Sequence, residues 1–290
     1  ERGESREDRC PREPREPEHE RPHRKQVYVP VPACPVSKGG RPVSETVAVS
    51  VCMATYNGDA YVAQQLRSIL DQLEPDDEIV VVDDASTDAT VEVVEAIGDD
   101  RIRVIRQPEN RGYVKSFEAA ILAATGEVLL LADQDDEWIA GRRAVLARAA
   151  HDSGVAASNL VLLGSGDPLP SPVTGRPWIL RPVTSRQRLR NEMRILLGIA
   201  PYFGCAMAIS RDMVATVTPF PAFLTESHDL WIATVANSVG RMSHVEQATV
   251  RRRIHDSNAS SSKPRGLARS LASRWMLIRA WGEALRRRRR

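Results

Sequence analysis

Residues 47–84 read VAVSVCMATYNGDAYVAQQLRSILDQLEPDDEIVVVDD. The first ten are almost continuously apolar, which predicts a strand buried on both faces. Over 59–73 the apolar residues Tyr61, Val62, Leu66, Ile69, Leu70 and Leu73 recur at three-to-four spacing, which predicts a helix. A second apolar strand follows over 78–83. Outward from there the cycle continues: helix over 87–97, strand over 101–106, helix over 112–125, strand over 127–132 and helix over 139–150. This alternation predicts an α/β domain with a mostly parallel central sheet flanked by helices.

Beyond 152 the rhythm loosens. A strand is expected over 155–163, a Pro- and Gly-rich surface loop over 164–182 and a helix over 186–199. A strand over 204–210, a helix over 226–239 and a strand pair or extended return over 241–252 complete this half. A terminal helix over 267–285 places Leu267, Leu271, Trp275, Ile278, Trp281 and Leu285 on one stripe. The expected organisation is a leader at 1–44, a first half at 45–152, a second half at 153–262 and a basic amphipathic helix at 263–290.

The 290 residues are 42% hydrophobic and 27% charged, with a formal net charge of +2. The total conceals a segregation. Residues 1–25 hold eight acids and eight bases, and eight of the nineteen prolines precede position 43. Such a segment buries too little apolar surface to offset its ordering entropy, which predicts disorder. From 263 to 290 there are ten basic residues and one acid, Glu283, so the stretch 26–262 carries −7. An acidic body with a basic end argues against a nucleic-acid binder. The longest apolar run falls far short of the roughly 18 residues that span a bilayer. The sequence shows no apolar signal segment, and Cys10, Cys34, Cys52 and Cys205 lack metal-type spacing, so a cytoplasmic location is expected.

In open parallel sheets, ligands bind beyond the carboxyl ends of the strands. There the first strand ends in Thr55, Tyr56 and Asn57, the second in Asp83 and Asp84, and the fourth in Asp133, Gln134, Asp135 and Asp136. No Gly-rich dinucleotide fingerprint and no phosphate-binding P-loop follows any of them. Clustered carboxylates repel one another unless a cation neutralises them, which points to a hard divalent ion, Mg²⁺ or Mn²⁺, and to a diphosphate partner. Asp84 or Ser86 is expected to cap the helix near Thr87, leaving Asp83 for ligand.

The segments VSVCMATYNGDAYVAQQLRSIL, EIVVVDDASTDAT and NRGYVKSFEAAILAATGEVLLLADQDDEW resemble the family 2 nucleotide-sugar glycosyltransferases, which have the GT-A fold. DQDDEW resembles their rhamnosyltransferase branch. The resemblance is strong over 47–146 and patchy over 204–258, and residues before 47 match nothing in the family. It implies direct, inverting transfer of a sugar, rhamnose being one candidate, from a dTDP- or UDP-linked donor to a hydroxyl of a glycan or polyprenyl-linked acceptor in cell-envelope polysaccharide synthesis.

Position by position, the resemblance places Thr55, Tyr56, Asn57 and Asp83 at the nucleoside and assigns Asp133 and Asp135 to the D-x-D pair. Asp135 would ligate the metal directly, and Asp133 would sit nearer the ribose or a metal-bound water. Gln134, Asp136, Gly204 and His228 would line the sugar and acceptor. SHDLW (227–231) resembles the segment carrying the general base, which makes Asp229 the catalytic candidate, with a helix-dipole acid as the alternative. RRRIHDSN (251–258) resembles a Tyr-Arg-x-His segment in which Arg253 meets the diphosphate and His255 the metal. The chain departs from the family pattern in three places: His228 for Glu, Arg252 for Tyr and Ser116 for Asn.

The terminal helix and Arg286–Arg290 admit two readings, a peripheral contact with the anionic cytoplasmic membrane surface or a packed helix with a solvated tail. Competing functions are a nucleotidyltransferase, a receiver-like module using Asp83, Asp84 and Lys115, and a sugar-nucleotide-binding protein without turnover.

Overall fold

The structure, a computed structural model, describes residues 47–255 and 266–289. The charged leader with Cys10 and Cys34, residues 256–265 and Arg290 lie outside the described residues. Elements in chain order are β1 (Val49–Thr55), α1 (Val62–Leu70), β2 (Glu78–Asp83), α2 (Thr90–Glu95), β3 (Ile102–Arg106), α3 (Tyr113–Ala123), β4 (Val128–Asp133), β5 (Glu137–Trp138) and α4 (Arg142–Ser153). They continue with β6 (Val155–Leu162), α5 (Arg188–Leu197), β7 (Met207–Ser210), α6 (Arg211–Val217), α7 (His228–Val239), β8 (Met242–Arg252) and α8 (Leu267–Arg287).

The strands form one sheet in the order β3-β2-β1-β4-β7-β6-β8-β5. The first four are parallel, as the β/α alternation predicts. Their side chains alternate between two cores: Cys52, Val80, Val82, Leu129 and Leu131 face α3 and α7, whereas Val51, Met53, Ile79, Val81 and Leu130 face α1 and α4. Burial on both faces explains the continuous apolar runs. After β3 the chain crosses back to the far side of β1, so the order reverses between β1 and β4, the usual place for a ligand crevice. Gly126 makes the return into β4 possible, because a Cβ there would lie 2.6 Å from the Ser50 backbone nitrogen.

Several expectations are corrected in the second half. Residues 204–206 form a 3-10 turn, and the strand begins only at Met207. Residues 242–252 form a single long strand, parallel to β6 and antiparallel to the two-residue β5. Both β5 and α6 escape sequence periodicity, being too short to show a period. The helix α2 starts at Thr90, and its entry is held by Asp88, which accepts the Thr90 amide at 3.0 Å. Neither Asp84 nor Ser86 caps it.

The terminal helix forms, but its expected stripe points the other way. Met276, Leu277, Ala280 and Ala284 are buried against the domain, while Leu271, Trp275, Ile278 and Leu285 are exposed. Of the terminal arginines, Arg287 is not part of a free tail. Its guanidinium donates to the carbonyls of Thr216 and Val217 at 2.9 and 3.0 Å, satisfying the end of α6, and lies 4.9 Å from the Trp231 ring centre. Among the described residues no helix is long and apolar enough to cross a membrane.

Candidate active site

The sheet register brings the strand ends together. Ala54 pairs with Asp133 and Thr55 with Asp83, so the last residues of β1, β2 and β4 share one rim. Beyond this rim lies a cavity of about 940 Å³, large enough for a nucleotide-sized ligand. Its wall is built from Thr55, Tyr56, Asp84, Tyr113, Phe117, Asp133, Gln134, Asp135, Phe203, Gly204, Cys205, His228, Asp229 and Arg252. The helix α8 adds Trp275, Met276 and Arg279 at one side.

The expected nucleoside residues divide into two groups. Thr55 and Tyr56 line the cavity, and Tyr56 is exposed. The Gln134 carboxamide clamps Tyr56, accepting its amide at 2.9 Å and donating to its carbonyl at 3.0 Å, so the β1 and β4 ends move together. Asn57, which is exposed, and Asp83, which is buried, do not line the cavity. Asn57 ties the β1 end to the β2 turn by accepting the Thr87 amide at 2.8 Å. The buried Asp83 carboxylate accepts the Thr55 hydroxyl at 3.0 Å and the Ser86 amide at 2.9 Å. Asp84 is the acid of that pair on the cavity wall, and it also fixes the loop before α3 by accepting the Arg111 and Gly112 amides at 2.8 Å each.

The acid loop after β4 is tightly braced. Gln65 of α1 donates to the Asp133 carbonyl at 2.8 Å, and the Arg253 backbone amide donates to Asp136 at 3.0 Å. The Arg253 guanidinium donates to the Asp135 carbonyl at 3.0 Å and to Gln64 at 2.9 Å, and lies 5.0 Å from the Tyr61 ring centre. Arg253 therefore supports the loop from outside the cavity wall. Asp135 and His255 meet, their Oδ2 and Nε2 atoms 2.7 Å apart, beside Tyr61. Burial first, and then the charges of Asp136 and Asp135, raise the Asp133 carboxyl well above the usual carboxylate range. Burial and the Asp135 charge raise Asp136 likewise.

These groups suit a hard divalent cation. One Asp136 oxygen is buried without a hydrogen-bond partner among the described residues, and Asp133, Asp136 and Cys205 place one donor atom each within 4.8 Å of one another. Burial holds the Cys205 thiol far above its ordinary pKa, which leaves the Asp133 and Asp136 oxygens of this group as the ligands that fit Mg²⁺ or Mn²⁺; the Asp135–His255 pair lies outside it. Behind the acids, fully buried Arg142 donates to the Leu131 carbonyl at 2.9 Å and to Thr249 at 2.8 Å and supplies a fixed positive charge. The second cation, Arg252, lines the cavity itself with its guanidinium 5.4 Å from the Phe203 ring centre.

On the opposite wall, α7 begins at His228 and presents Asp229 in its first turn. The turn is set by Ser227 in the left-handed region, φ 61°, whose amide donates to the Tyr113 hydroxyl at 3.0 Å. Burial pushes Asp229 up to about 6, partly offset by the amides of Leu230 and Gly204. The His228 ring stacks on Phe117 at 4.2 Å and meets the edge of Tyr113. Neither of its nitrogens has a partner among the described residues, and burial lowers its pKa to about 3, so it is neutral. Lys115 ion-pairs with Glu118 at 2.7 Å rather than turning to Asp83 or Asp84, which disfavours the receiver-like alternative.

Gly204 faces His228 so closely that a Cβ would lie 2.7 Å from its Nε2. The ring is pinned by Phe117 and cannot retreat. Gly204→Ala is expected to lower stability by about 1–3 kcal/mol and to impair activity further by displacing Asp229, as urea unfolding and turnover measurements would show.

Asp84, expected as a helix cap, lines the cavity instead, and Tyr113, Phe203, Arg142 and the α8 wall join the site unannounced by the sequence. The others carry no local signal, because their neighbours in space are distant in sequence.

Residues 50–217 match the family described as "Glycosyl transferase family 2". Two curated relatives are a glycosyltransferase of Nostoc sp., itself uncharacterized, and the succinoglycan biosynthesis protein ExoO of Rhizobium meliloti. The first is 40% identical over 93 residues, 31% of this chain and 29% of the relative. The second is 40% identical over 88 residues, 30% of this chain and 25% of the relative. The match thus spans less than a third of the length of either. The crystal structure of S. aureus TarS 1-349 in complex with UDP-GlcNAc superposes with a TM-score of 0.56 at 21% identity, covering 83% of this chain and 72% of that one. That likeness, together with the strand order, establishes the GT-A fold. With more than half of its length matched by one family, the chain belongs to glycosyl transferase family 2.

Proposed function

We propose that the protein is a metal-dependent, inverting glycosyltransferase of the hexosyl-transferring type, moving a sugar from a dTDP- or UDP-linked donor to a hydroxyl of a glycan or lipid-linked acceptor. The observation that carries this reading is the convergence on one cavity of the β1 end, the acid loop Asp133–Gln134–Asp135 and the half-buried carboxylate of Asp229. Metal-ligand candidates and a general-base candidate line the same space, as a displacement with the acceptor opposite the leaving diphosphate requires.

In this reading residues 45–152 supply the nucleotide half and 153–262 the acceptor half. Thr55 and Tyr56 face the nucleoside, with Asp83 and Asn57 holding the segment in place and Asp84 beside it. Asp135, Asp133 and His255 would hold Mg²⁺ or Mn²⁺. When bound, the cation takes up negative charge developing on the departing diphosphate. Asp229 removes the acceptor hydroxyl proton, and Leu230 and Gly204 donate to its carboxylate and orient it. His228, neutral and without a partner among the described residues, offers one hydrogen bond to the sugar or acceptor, with Gln134, Asp136 and Gly204 shaping that pocket. Arg253 contributes by fixing the acid loop.

The names of relatives support a polysaccharide pathway: succinoglycan for ExoO, and UDP-GlcNAc bound in the TarS complex. DQDDEW and His228 favour the rhamnosyl branch, and a nucleotide-sugar donor would put the reaction in the cytoplasm. The deciding experiment is a screen of dTDP- and UDP-sugars by thermal unfolding with Mn²⁺ present. The correct donor is expected to raise Tm by about 5 °C or more at saturating concentration. No shift with any nucleotide sugar would overturn the reading.

A further inference from the structure

The helix α5 leaves much of its apolar surface outside. Its buried face carries Asn191, Glu192 and Ile195, while Leu189, Met193 and Leu197, spaced by four residues, are exposed. Asn191 donates inside to the Thr184 carbonyl at 3.0 Å and to Asn237 at 3.2 Å, and Ile195 joins the main core, which together fix the orientation. The helix packs against α8, and the two meet where Arg274 donates to the Leu197 carbonyl at 3.4 Å. The helix α8 likewise exposes Leu271, Trp275, Ile278 and Leu285. Large apolar side chains exposed on two neighbouring helices are not the ordinary state of a free surface.

The exposed charge on the two helices has one sign. Arg186, Arg188 and Arg190 are exposed at α5, as are Arg279, Arg286, Arg288 and Arg289 at α8. The only acids on the two helices are Glu192, which is buried, and Glu283, which pairs with Arg286 and Arg287 at 2.6 and 2.9 Å. A second copy of this face would bring arginines against arginines. An anionic lipid surface instead satisfies both the apolar side chains and the guanidinium groups.

We propose that α5 and α8 together form a platform that docks on an anionic membrane surface. Trp275 and Arg279 belong both to the exposed face and to the cavity wall, so docking would hold the cavity mouth at the lipid. That consequence, delivery of a lipid-linked acceptor, rests on the glycosyltransferase reading, whereas the docking itself does not.

Flotation of the full chain with phosphatidylglycerol-containing vesicles and with pure phosphatidylcholine vesicles tests this without any substrate. Binding is expected only to the anionic vesicles and should weaken as salt is raised. Leu189→Ser with Leu197→Ser on α5, and separately Leu271→Ser with Ile278→Ser on α8, should each reduce partitioning by about tenfold, with circular dichroism and Tm confirming that both variants fold. Reversing charge with Arg186→Glu and Arg190→Glu should do the same. Absence of flotation with anionic vesicles, or binding unchanged in the α5 variant, would overturn the proposal. So would a dimer in solution, detected by light scattering, that the same substitutions dissolve.

Discussion

Asp229→Asn is expected to leave donor affinity near that of the parent while lowering turnover by about 10²–10⁴, the usual worth of a positioned general base. The amide keeps the shape of the side chain and its contact with the Leu230 amide, but cannot accept the acceptor proton. The pH dependence supplies a second readout. Burial raises the Asp229 carboxyl to about 6, and only its ionised form acts as a base. For the parent, kcat/KM should therefore rise with pH through about 6 and level off above it, and in the Asn variant the residual rate should lose that acid limb. Turnover unchanged in the variant would place the base elsewhere.

Asp135→Ala is expected to lower transfer by roughly a thousandfold, equivalent to about 4 kcal/mol of lost stabilisation of developing charge. The substitution removes the carboxylate that meets His255 at 2.7 Å and leaves the loop braced, because Arg253 holds the Asp135 backbone carbonyl rather than its side chain. The Mn²⁺-dependent rise in Tm should vanish with the activity. EDTA should likewise abolish parental activity, and Mn²⁺ or Mg²⁺ should restore it. Full activity in EDTA would contradict the metal role.

The first half of the fold was legible because β1, β2 and β4 are buried on both faces. Val80, Val82, Leu129 and Leu131 on one side and Ile79, Val81 and Leu130 on the other leave no polar position to blur the apolar run. The carboxylates at the strand ends stand out against those runs. Legibility fails where the partner is remote. The two-residue β5 exists because Glu137 and Trp138 pair with Arg251 and Val250, and nothing within β5 itself reports that pairing.

The helix α8 shows a different failure. Its large apolar residues define a stripe by periodicity, yet the buried face uses Ala280 and Ala284 with Met276 and Leu277. Small residues let α8 approach α7 closely, so the bulky side chains are left outside. The apolar pattern of a helix marks where water is unfavourable, not which neighbour covers it. For α5 the buried face combines Ile195 with Asn191, which meets Asn237 and Thr184, and Leu189, Met193 and Leu197 are left outside.

The sequence by itself determined the α/β alternation, the acids at the ends of β2 and β4 and the family those segments carry, because each is a local pattern of period and position. Tertiary structure alone decided that Asp84 rather than Asp83 reaches the cavity, that Arg253 braces the acid loop, and that Arg252 and α8 complete the wall. These outcomes depend on which distant groups satisfy a buried carboxylate or cover an apolar face, and that competition is settled only when the chain has packed.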